Sequence, residues 1–374
     1  MVYLDYSATT FVNDEVLDSF IKVTKQYPGN PNSLHKLGVD AKKLIDASTD
    51  QIKKILNLKN SEIIYTSGAS EANNLALKGI AHKYSNRGKH IITTKLEHSS
   101  IEEPIKYLES IGYEISYAKL DSNGRVDLEY LKSIVRDDTI LVSINAVNSE
   151  LGIIQPIEDI GNILVNYPKC YFHVDMTQAI GKIKVCLDNV DLFSFSAHKF
   201  YGIKGIGALI KKEKIIIEPI IHGGKSITNY RSGTPTLELI VSMAKALRLA
   251  YRNIDNKYNY VFNLNNELRN FFTKYDKVKI NSPKNAIPHI LNISLIGTKP
   301  ETLLHALEQD NIYISTKSAC SSSDISHSVL EVTHDEMCAK SSIRISLSYL
   351  TTEEEINTFK SSFDRCYKEL TNLR

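Results

Sequence analysis

Five predicted strands are each followed by side chains that could bind a ligand or take part in catalysis. In chain order these are Ala69 and Ser70, His98, Asn148 and Ser149, Asp175 and Gln178, and Ser196, His198 and Lys199. In an open parallel α/β sheet, ligands bind beyond the carboxyl ends of the strands. We therefore expect these residues to surround one site, although they come from distant parts of the chain.

Several of these residue types are the ones that a binding site for the cofactor pyridoxal 5'-phosphate (PLP) requires. Free backbone N–H groups at a helix start, here Ala69 and Ser70, suit its phosphate, as does the Ser196 hydroxyl. A buried carboxylate such as Asp175 favours the protonated pyridine nitrogen, which lets the ring accept electrons. These residues predict a phosphate end and a ring end of the site.

A flat ring partner and an amine complete the set. His98 is placed to stack on the ring, and Lys199, one strand after Asp175, is placed to form a Schiff base with the aldehyde. Taken singly, each residue has a simpler explanation, because tight turns, helix-capping aspartates and turn histidines are common. Their occurrence in this order at successive strand ends predicts a PLP enzyme.

The elements that position these residues alternate between apolar strands and amphipathic helices. Predicted strands lie at 62–66, 90–94, 139–147, 171–175 and 190–195, with helices running to about residue 84 and starting near 99. Continuous apolar strands between helices indicate a mostly parallel sheet covered on both faces. A helix at 239–251 then leads to strands at 290–295 and 343–347, which predicts a second, smaller α+β domain.

Composition narrows the class of protein. The 374 residues carry a net charge of +2 with acidic and basic side chains interspersed, which argues against direct nucleic-acid binding. No apolar run is long enough for a membrane span, and the N-terminus does not resemble a signal peptide. Five scattered cysteines form neither a disulfide framework nor a metal motif, so we expect a cytoplasmic protein without a metal site.

Six segments carry a family resemblance: TSGASEANNLA, KLEHSSI, HVDMTQAIGK, FSAHKFYGIKGIGAL, RSGTPT and STKSACSSS. With them, nearly the whole chain resembles the NifS/IscS-type cysteine desulfurases of the class V aminotransferase family. The resemblance implies the type I fold of PLP transferases, with a mostly parallel seven-stranded sheet covered by helices. It also implies a large domain at 11–250 and a small domain formed by 1–10 and 251–374.

The resemblance further implies a role for each matching residue. Lys199 is the Schiff-base lysine, Asp175 the partner of the pyridine nitrogen, and His98 the ring-stacking residue. Gln178 and Ser149 contact the ring, and Ala69, Ser70, Ser196 and His198 hold the phosphate. Thr234 reaches the phosphate of a neighbouring subunit, which implies a homodimer. Arg344 grips the substrate carboxylate, a task that suits a bidentate guanidinium, and Asn148 joins it in binding substrate.

Cys320 distinguishes a desulfurase from its relatives. It lies in a serine-rich predicted loop three residues after Lys317, and a nearby cation would raise its thiolate fraction. The resemblance implies that Cys320 attacks the sulfur of L-cysteine. The products are then alanine and a persulfide on Cys320. The sulfur then passes to an acceptor protein. An idle surface thiol is the simpler explanation of the same residue.

Several features depart from the family pattern. Ser149 replaces a usual asparagine, Lys317 replaces a common glycine, and residues 225–229 differ at the expected subunit interface. The chain ends at Arg374, so we expect transfer to a tRNA-thiolation enzyme rather than to an iron–sulfur scaffold. The alternatives are an aminotransferase or epimerase with Cys320 idle, a selenocysteine lyase, or a non-catalytic partner protein.

Overall fold

The computed structural model describes residues 1–316 and 325–372. Its strands are β1 (Val2–Tyr3), β2 (Ser61–Thr66), β3 (His90–Thr93), β4 (Glu114–Tyr117), β5 (Thr139–Asn145), β6 (Tyr171–Asp175), β7 (Leu192–Ser196), β8 (Gly207–Lys212), β9 (Val278–Ile280), β10 (Ile290–Leu295), β11 (Ile312–Tyr313) and β12 (Ser342–Ser346). Its helices are α1 (Asp14–Gln26), α2 (Lys36–Ile55), α3 (Ala69–Lys83), α4 (Ser99–Ser110), α5 (Leu128–Ile134), α6 (Ile157–Leu164), α7 (Leu237–Tyr251), α8 (Ile254–Phe272), α9 (Pro300–Glu308), α10 (His327–Thr333), α11 (Glu336–Lys340) and α12 (Glu353–Asn372).

The central sheet has seven strands in the order β2-β8-β7-β6-β5-β3-β4. Strands β3 to β7 pair in parallel, whereas β8 runs antiparallel to both β2 and β7. The mostly parallel seven-stranded α/β fold is therefore confirmed. The five strands expected from apolar runs are present within two residues at each end.

Two strands of this sheet escaped the sequence-based prediction. Strand β4 is a short edge strand with its first and last residues exposed, so it has no continuous apolar run. Strand β8 is mostly buried but ends in Lys211 and Lys212, and its signal merges with the glycine-rich segment before it. An edge position and a terminal pair of lysines each obscure the pattern that marks a buried strand.

Helices cover both faces of the sheet. Side chains that alternate along each strand divide between two hydrophobic clusters; Ile91, for example, packs with α3 and α4, whereas Ile92 packs with α1, α2, α6 and α7. Burial on both faces favours the long apolar runs that marked these strands in the sequence. The sheet edge at the carboxyl ends of the strands is where the predicted site residues meet.

A second, smaller sheet of three antiparallel strands follows in the order β12-β10-β9. It packs with α8, α9 and α12 in a separate hydrophobic cluster, which also contains Val2 and Leu4. Strand β1 pairs in parallel with β11, so the N-terminal residues join this cluster. These contacts support the proposed domain division, whose boundaries stay a prediction. Within 1–316 and 325–372, no helix combines the length and the apolarity needed to cross a membrane.

Candidate active site

A cavity of about 470 Å³ lies at the carboxyl ends of the central strands. It brings together ten of the predicted site residues: Ala69, Ser70, His98, Ser149, Asp175, Gln178, Ser196, His198, Lys199 and Arg344. The expectation that distant strand ends share one site therefore holds for these residues. The cavity is also lined by Ser7, Ala8 and Ser100, which sequence reasoning did not assign.

One end of the cavity is formed by the start of α3. Its N-cap, Gly68, makes no side-chain cap hydrogen bond, and Glu71 accepts instead from the N–H of Ser67 at 2.7 Å. A Cβ on Gly207 would lie 2.8 Å from the Gly68 Cα atom, so only glycine lets β8 pass so close to this turn. The uncapped N–H groups of the first turn and the Ser196 hydroxyl suit a phosphate group.

Asp175 forms the floor of the cavity and is 5% exposed. One carboxylate oxygen accepts from the Asn73 side-chain amide at 2.9 Å and the other accepts from the Thr177 N–H at 2.8 Å. Both donors, a side-chain amide and a backbone N–H, are neutral. A buried carboxylate with neutral partners keeps its charge available to a protonated ring nitrogen.

A buried hydrogen-bond network links Asp175 to His98. Asn73 is fully buried; it accepts from the Ser194 hydroxyl and donates to the Ser100 hydroxyl at 2.9 Å. Ser100 Oγ lies 2.9 Å from His98 Nδ1. Asn73 and Ser194 were missing from the predicted set because asparagine on a helix and serine in a strand carry no distinctive signal. Their burial indicates that they fix the orientation of Asp175.

His98 is the N-cap of α4. Its Nδ1 accepts from the N–H of Ser100 at 3.1 Å, so the neutral ring carries its proton on Nε2. Burial lowers the pKa of His98, although Asp175 acts in the opposite direction. The imidazole is therefore a neutral flat ring on the cavity wall, as a ring-stacking role requires.

Lys199 follows β7 on a short 3₁₀ turn. Its Nζ donates to the carbonyls of Ser7 at 2.6 Å and Ala8 at 2.9 Å. The next turn is strained, since Tyr201 has a φ of +66° in the left-handed region. The Thr10 hydroxyl holds it by accepting from the Tyr201 N–H at 2.7 Å. The N-terminal segment thus positions the turn that carries Lys199, a role that the sequence did not reveal.

Arg344 also lines the cavity and is 2% exposed. Its guanidinium donates to the Ser149 carbonyl at 3.0 Å and forms an ion pair of 2.9 Å with Asp5. Its Nε is buried without a hydrogen-bond partner among the described residues. Asp5 was not predicted, because it is separated from Arg344 by almost the whole chain. The unsatisfied Nε and the exchangeable Asp5 carboxylate leave Arg344 able to bind a substrate carboxylate.

Three predicted residues are not brought to this cavity by the described structure. Asn148 is turned away: its amide donates to the Leu96 carbonyl at 3.0 Å and to Ser328, and its carbonyl oxygen accepts from two N–H groups of the following turn. These bonds hold the turn that carries Ser149, and the expected contact of Asn148 with substrate stays a prediction. Thr234 is exposed and does not line the cavity of this chain. Cys320 lies outside the described residues.

The residues present fit PLP. An uncapped helix start, a buried carboxylate, a neutral imidazole and a lysine amine line a single cavity. PLP would be held at its phosphate by the α3 turn and Ser196, at its ring by His98 and Asp175, and at its aldehyde by Lys199. The roles of the individual residues stay a proposal.

Comparison with known proteins gives the family. Residues 2–359 match the family model described as aminotransferase class-V, so the chain belongs to that family. Cysteine desulfurase IscS of Dictyoglomus turgidum is 39% identical over 382 residues, with 100% of this chain and 96% of the relative covered. A solved NifS-like protein superposes with a TM-score of 0.92 at 36% identity, covering 99% of both chains. SspA, solved in complex with cysteine, superposes with a TM-score of 0.82 at 32% identity, over 94% of this chain and 100% of its own.

Proposed function

We propose that this protein is a PLP-dependent cysteine desulfurase, which removes sulfur from L-cysteine and produces L-alanine. One observation carries the proposal: a single cavity is lined by Lys199, Asp175 and His98, here called its cofactor end, and by Arg344, here called its substrate end. The first three residues suit the cofactor, and Arg344 suits the carboxylate of an amino acid. The full-length relatives named cysteine desulfurase support the choice of reaction.

The cofactor supplies an electron-accepting ring, and the protein supplies binding and proton transfer. Asp175 favours protonation of the ring nitrogen, and the Asn73 contact keeps its carboxylate in place. Lys199 would hold the cofactor at its aldehyde, and its amine could move a proton at the substrate α-carbon. His98 would cover one face of the ring and keep water from it.

Arg344 gives the site its preference for an amino acid. The substrate carboxylate would replace Asp5 on the guanidinium and would also reach the unsatisfied Nε. Because Arg344 is almost fully buried, an ion pair formed there is weakly screened by water. The substrate is thereby fixed at its carboxylate, with its side-chain sulfur directed away from the arginine.

Cys320 is the proposed nucleophile, and the anchors on either side of its segment support this role. On one side, Ser315 exchanges two backbone hydrogen bonds with Arg344, at 2.7 and 3.1 Å. On the other side, the Ser326 hydroxyl donates to Glu150 at 2.5 Å, next to Ser149. Both ends of the segment that contains Cys320 therefore lie beside the substrate end of the cavity. The thiolate would attack the substrate sulfur and become a persulfide as alanine leaves.

The partners and location belong to the same proposal. We infer a homodimer in which Thr234 serves the neighbouring cavity, supported by its exposure and its absence from the cavity of its own chain. The sulfur passes to an acceptor protein, with a tRNA-thiolation enzyme favoured over an iron–sulfur scaffold. A cytoplasmic location is supported by Cys170, Cys186, Cys338 and Cys366, which are all free thiols.

Mass spectrometry after incubation with L-cysteine tests the function. We expect one added sulfur atom on the peptide that contains Cys320, removed by a thiol reductant. The exposed Cys186 is the internal control, because it shares the chain and the reagent but lies outside the cavity. Sulfur found equally on Cys186, or no added sulfur in a PLP-loaded protein, would favour an aminotransferase or epimerase with Cys320 idle.

A further inference from the structure

Lys182 is a buried lysine beside the active site that the proposed function does not use. It follows β6 in a turn, and its residue is 8% exposed. The preceding Gly181 has a φ of +72°, and a Cβ there would lie 2.8 Å from Ala250 and 3.0 Å from Phe200. Glycine therefore allows the turn to pack closely against the residue that follows Lys199. This packing directs the Lys182 side chain inward.

A chain of hydrogen bonds connects Lys182 to Lys199. Lys182 Nζ donates to Gln178 Oε1 at 2.7 Å, and Gln178 Nε2 donates to the Ser7 carbonyl at 2.9 Å. The same carbonyl accepts from Lys199 Nζ at 2.6 Å. Because Lys182 Nζ donates to Oε1, the Gln178 amide has a single orientation, in which its NH₂ group faces Ser7. Lys182 thus fixes the orientation of the Gln178 amide, which donates to the same Ser7 carbonyl as Lys199.

The electrostatic surroundings of Lys182 are almost entirely basic. The charged groups that shift its pKa, or whose pKa it shifts, are Lys199, Arg344, His198 and His289, all of them basic. Burial, followed by Lys199 and Arg344, lowers the pKa of Lys182 to about 7. Burial, followed by Lys182, lowers the pKa of His289 to about 3. Of Lys182 and the two histidines, Lys182 is the group whose pKa lies nearest to neutral.

A buried lysine without an acidic partner costs stability, so its presence calls for a functional explanation. We propose that Lys182 is a positioning residue for Lys199: it fixes Gln178 and the Ser7 carbonyl, and its charge favours the unprotonated Lys199 amine. The inference rests on the proposed role of Lys199. An unprotonated amine is the form that can bond to an aldehyde or accept a proton.

The test is a pH titration of the absorbance of the lysine-bound cofactor in the purified holoenzyme. K182M removes both the charge and the hydrogen bond, whereas K182Q removes the charge and keeps a donor for Gln178. Losing a nearby positive charge makes protonation easier, so we expect the midpoint to rise by at least about 0.5 pH unit in both variants. K184M is the matched control: Lys184 is exposed and pairs with Asp255 at 2.7 Å, and its midpoint should equal that of the wild type.

The outcomes separate this inference from the proposed function. Borohydride reduction and peptide mapping first establish which lysine carries PLP in the wild type and in each variant. If PLP is bound elsewhere than Lys199, the proposed function fails. If PLP is on Lys199 and neither variant shifts the midpoint, the inference about Lys182 is overturned and the proposed function stands. If K182M does not fold, K182Q alone decides the same question.

Discussion

The cofactor end and the substrate end of the cavity are built in different ways. The cofactor end comes from turns that directly follow β2, β3, β6 and β7, each of which delivers one or two functional side chains. The substrate end joins Asp5, Ser149 and Arg344, which come from the N-terminus, the middle of the chain and β12. The cofactor end is thus built by the central sheet. The substrate end depends on how the three-stranded sheet, which contains Arg344, packs against the central sheet.

The two ends also differ in how their charges are satisfied. At the cofactor end, Asp175 accepts hydrogen bonds from two neutral donors. At the substrate end, Arg344 already has the Asp5 carboxylate as a partner. A ligand bound at the cofactor end therefore provides a charged partner for Asp175. A substrate bound at the substrate end instead replaces the Asp5 carboxylate on Arg344 with its own carboxylate. Substitutions at the two ends should consequently affect different kinetic constants.

Between the two ends of the cavity, the larger effect is expected at the cofactor end. Asp175→Ala should lower kcat by at least roughly a hundredfold, because it removes a preorganised charge next to the ring. Asp175→Asn keeps the shape and should lose nearly as much, which separates charge from packing. The measurement is alanine production by PLP-loaded protein, with exposed Asp188→Ala as control. Near-normal turnover in either Asp175 variant would show that the carboxylate only caps its turn.

A smaller effect, of a different kind, is expected at the substrate end. Arg344→Met should raise KM for L-cysteine by roughly a hundredfold while the absorbance of bound PLP stays unchanged, because a buried charge-assisted contact is lost. Steady-state kinetics and absorbance spectra check the two halves of this prediction. A variant with unchanged KM, or one that loses PLP, would contradict the division of the cavity into two ends.

The smallest expected effect is at Asp5. Asp5→Asn weakens the ion pair that substrate must replace, so KM should fall by about two- to fivefold. The ligand-free variant should also unfold at a lower temperature, because Arg344 loses its partner. Asp18→Asn, on the exposed face of α1, is the control and should change neither value. A higher KM in Asp5→Asn would mean that Asp5 orients Arg344 for substrate instead of competing with it.

The same contrast explains what could be predicted from the sequence. Residues such as His98, Asp175 and Lys199 follow apolar strands directly, so the period and length of those runs indicated both the sheet and the edge at which they meet. Asp5 and Asn73 gave no such signal, because their roles arise only from packing across the chain. Asn148 was assigned to the substrate; in the structure its amide donates to the Leu96 carbonyl and to Ser328, and its oxygen accepts from two N–H groups of its own turn, so a contact with substrate stays a prediction.

The proposed chemistry depends most directly on Cys320. The decisive measurement is alanine formation from L-cysteine by wild type and Cys320→Ser, with the absorbance of bound PLP as a check on folding. Serine keeps the size of the side chain but is a poor nucleophile towards sulfur, since its hydroxyl stays protonated at neutral pH. We expect PLP binding to be unchanged and alanine production to fall to background. Alanine formed by Cys320→Ser at the wild-type rate would contradict the desulfurase assignment, even if PLP were bound to Lys199.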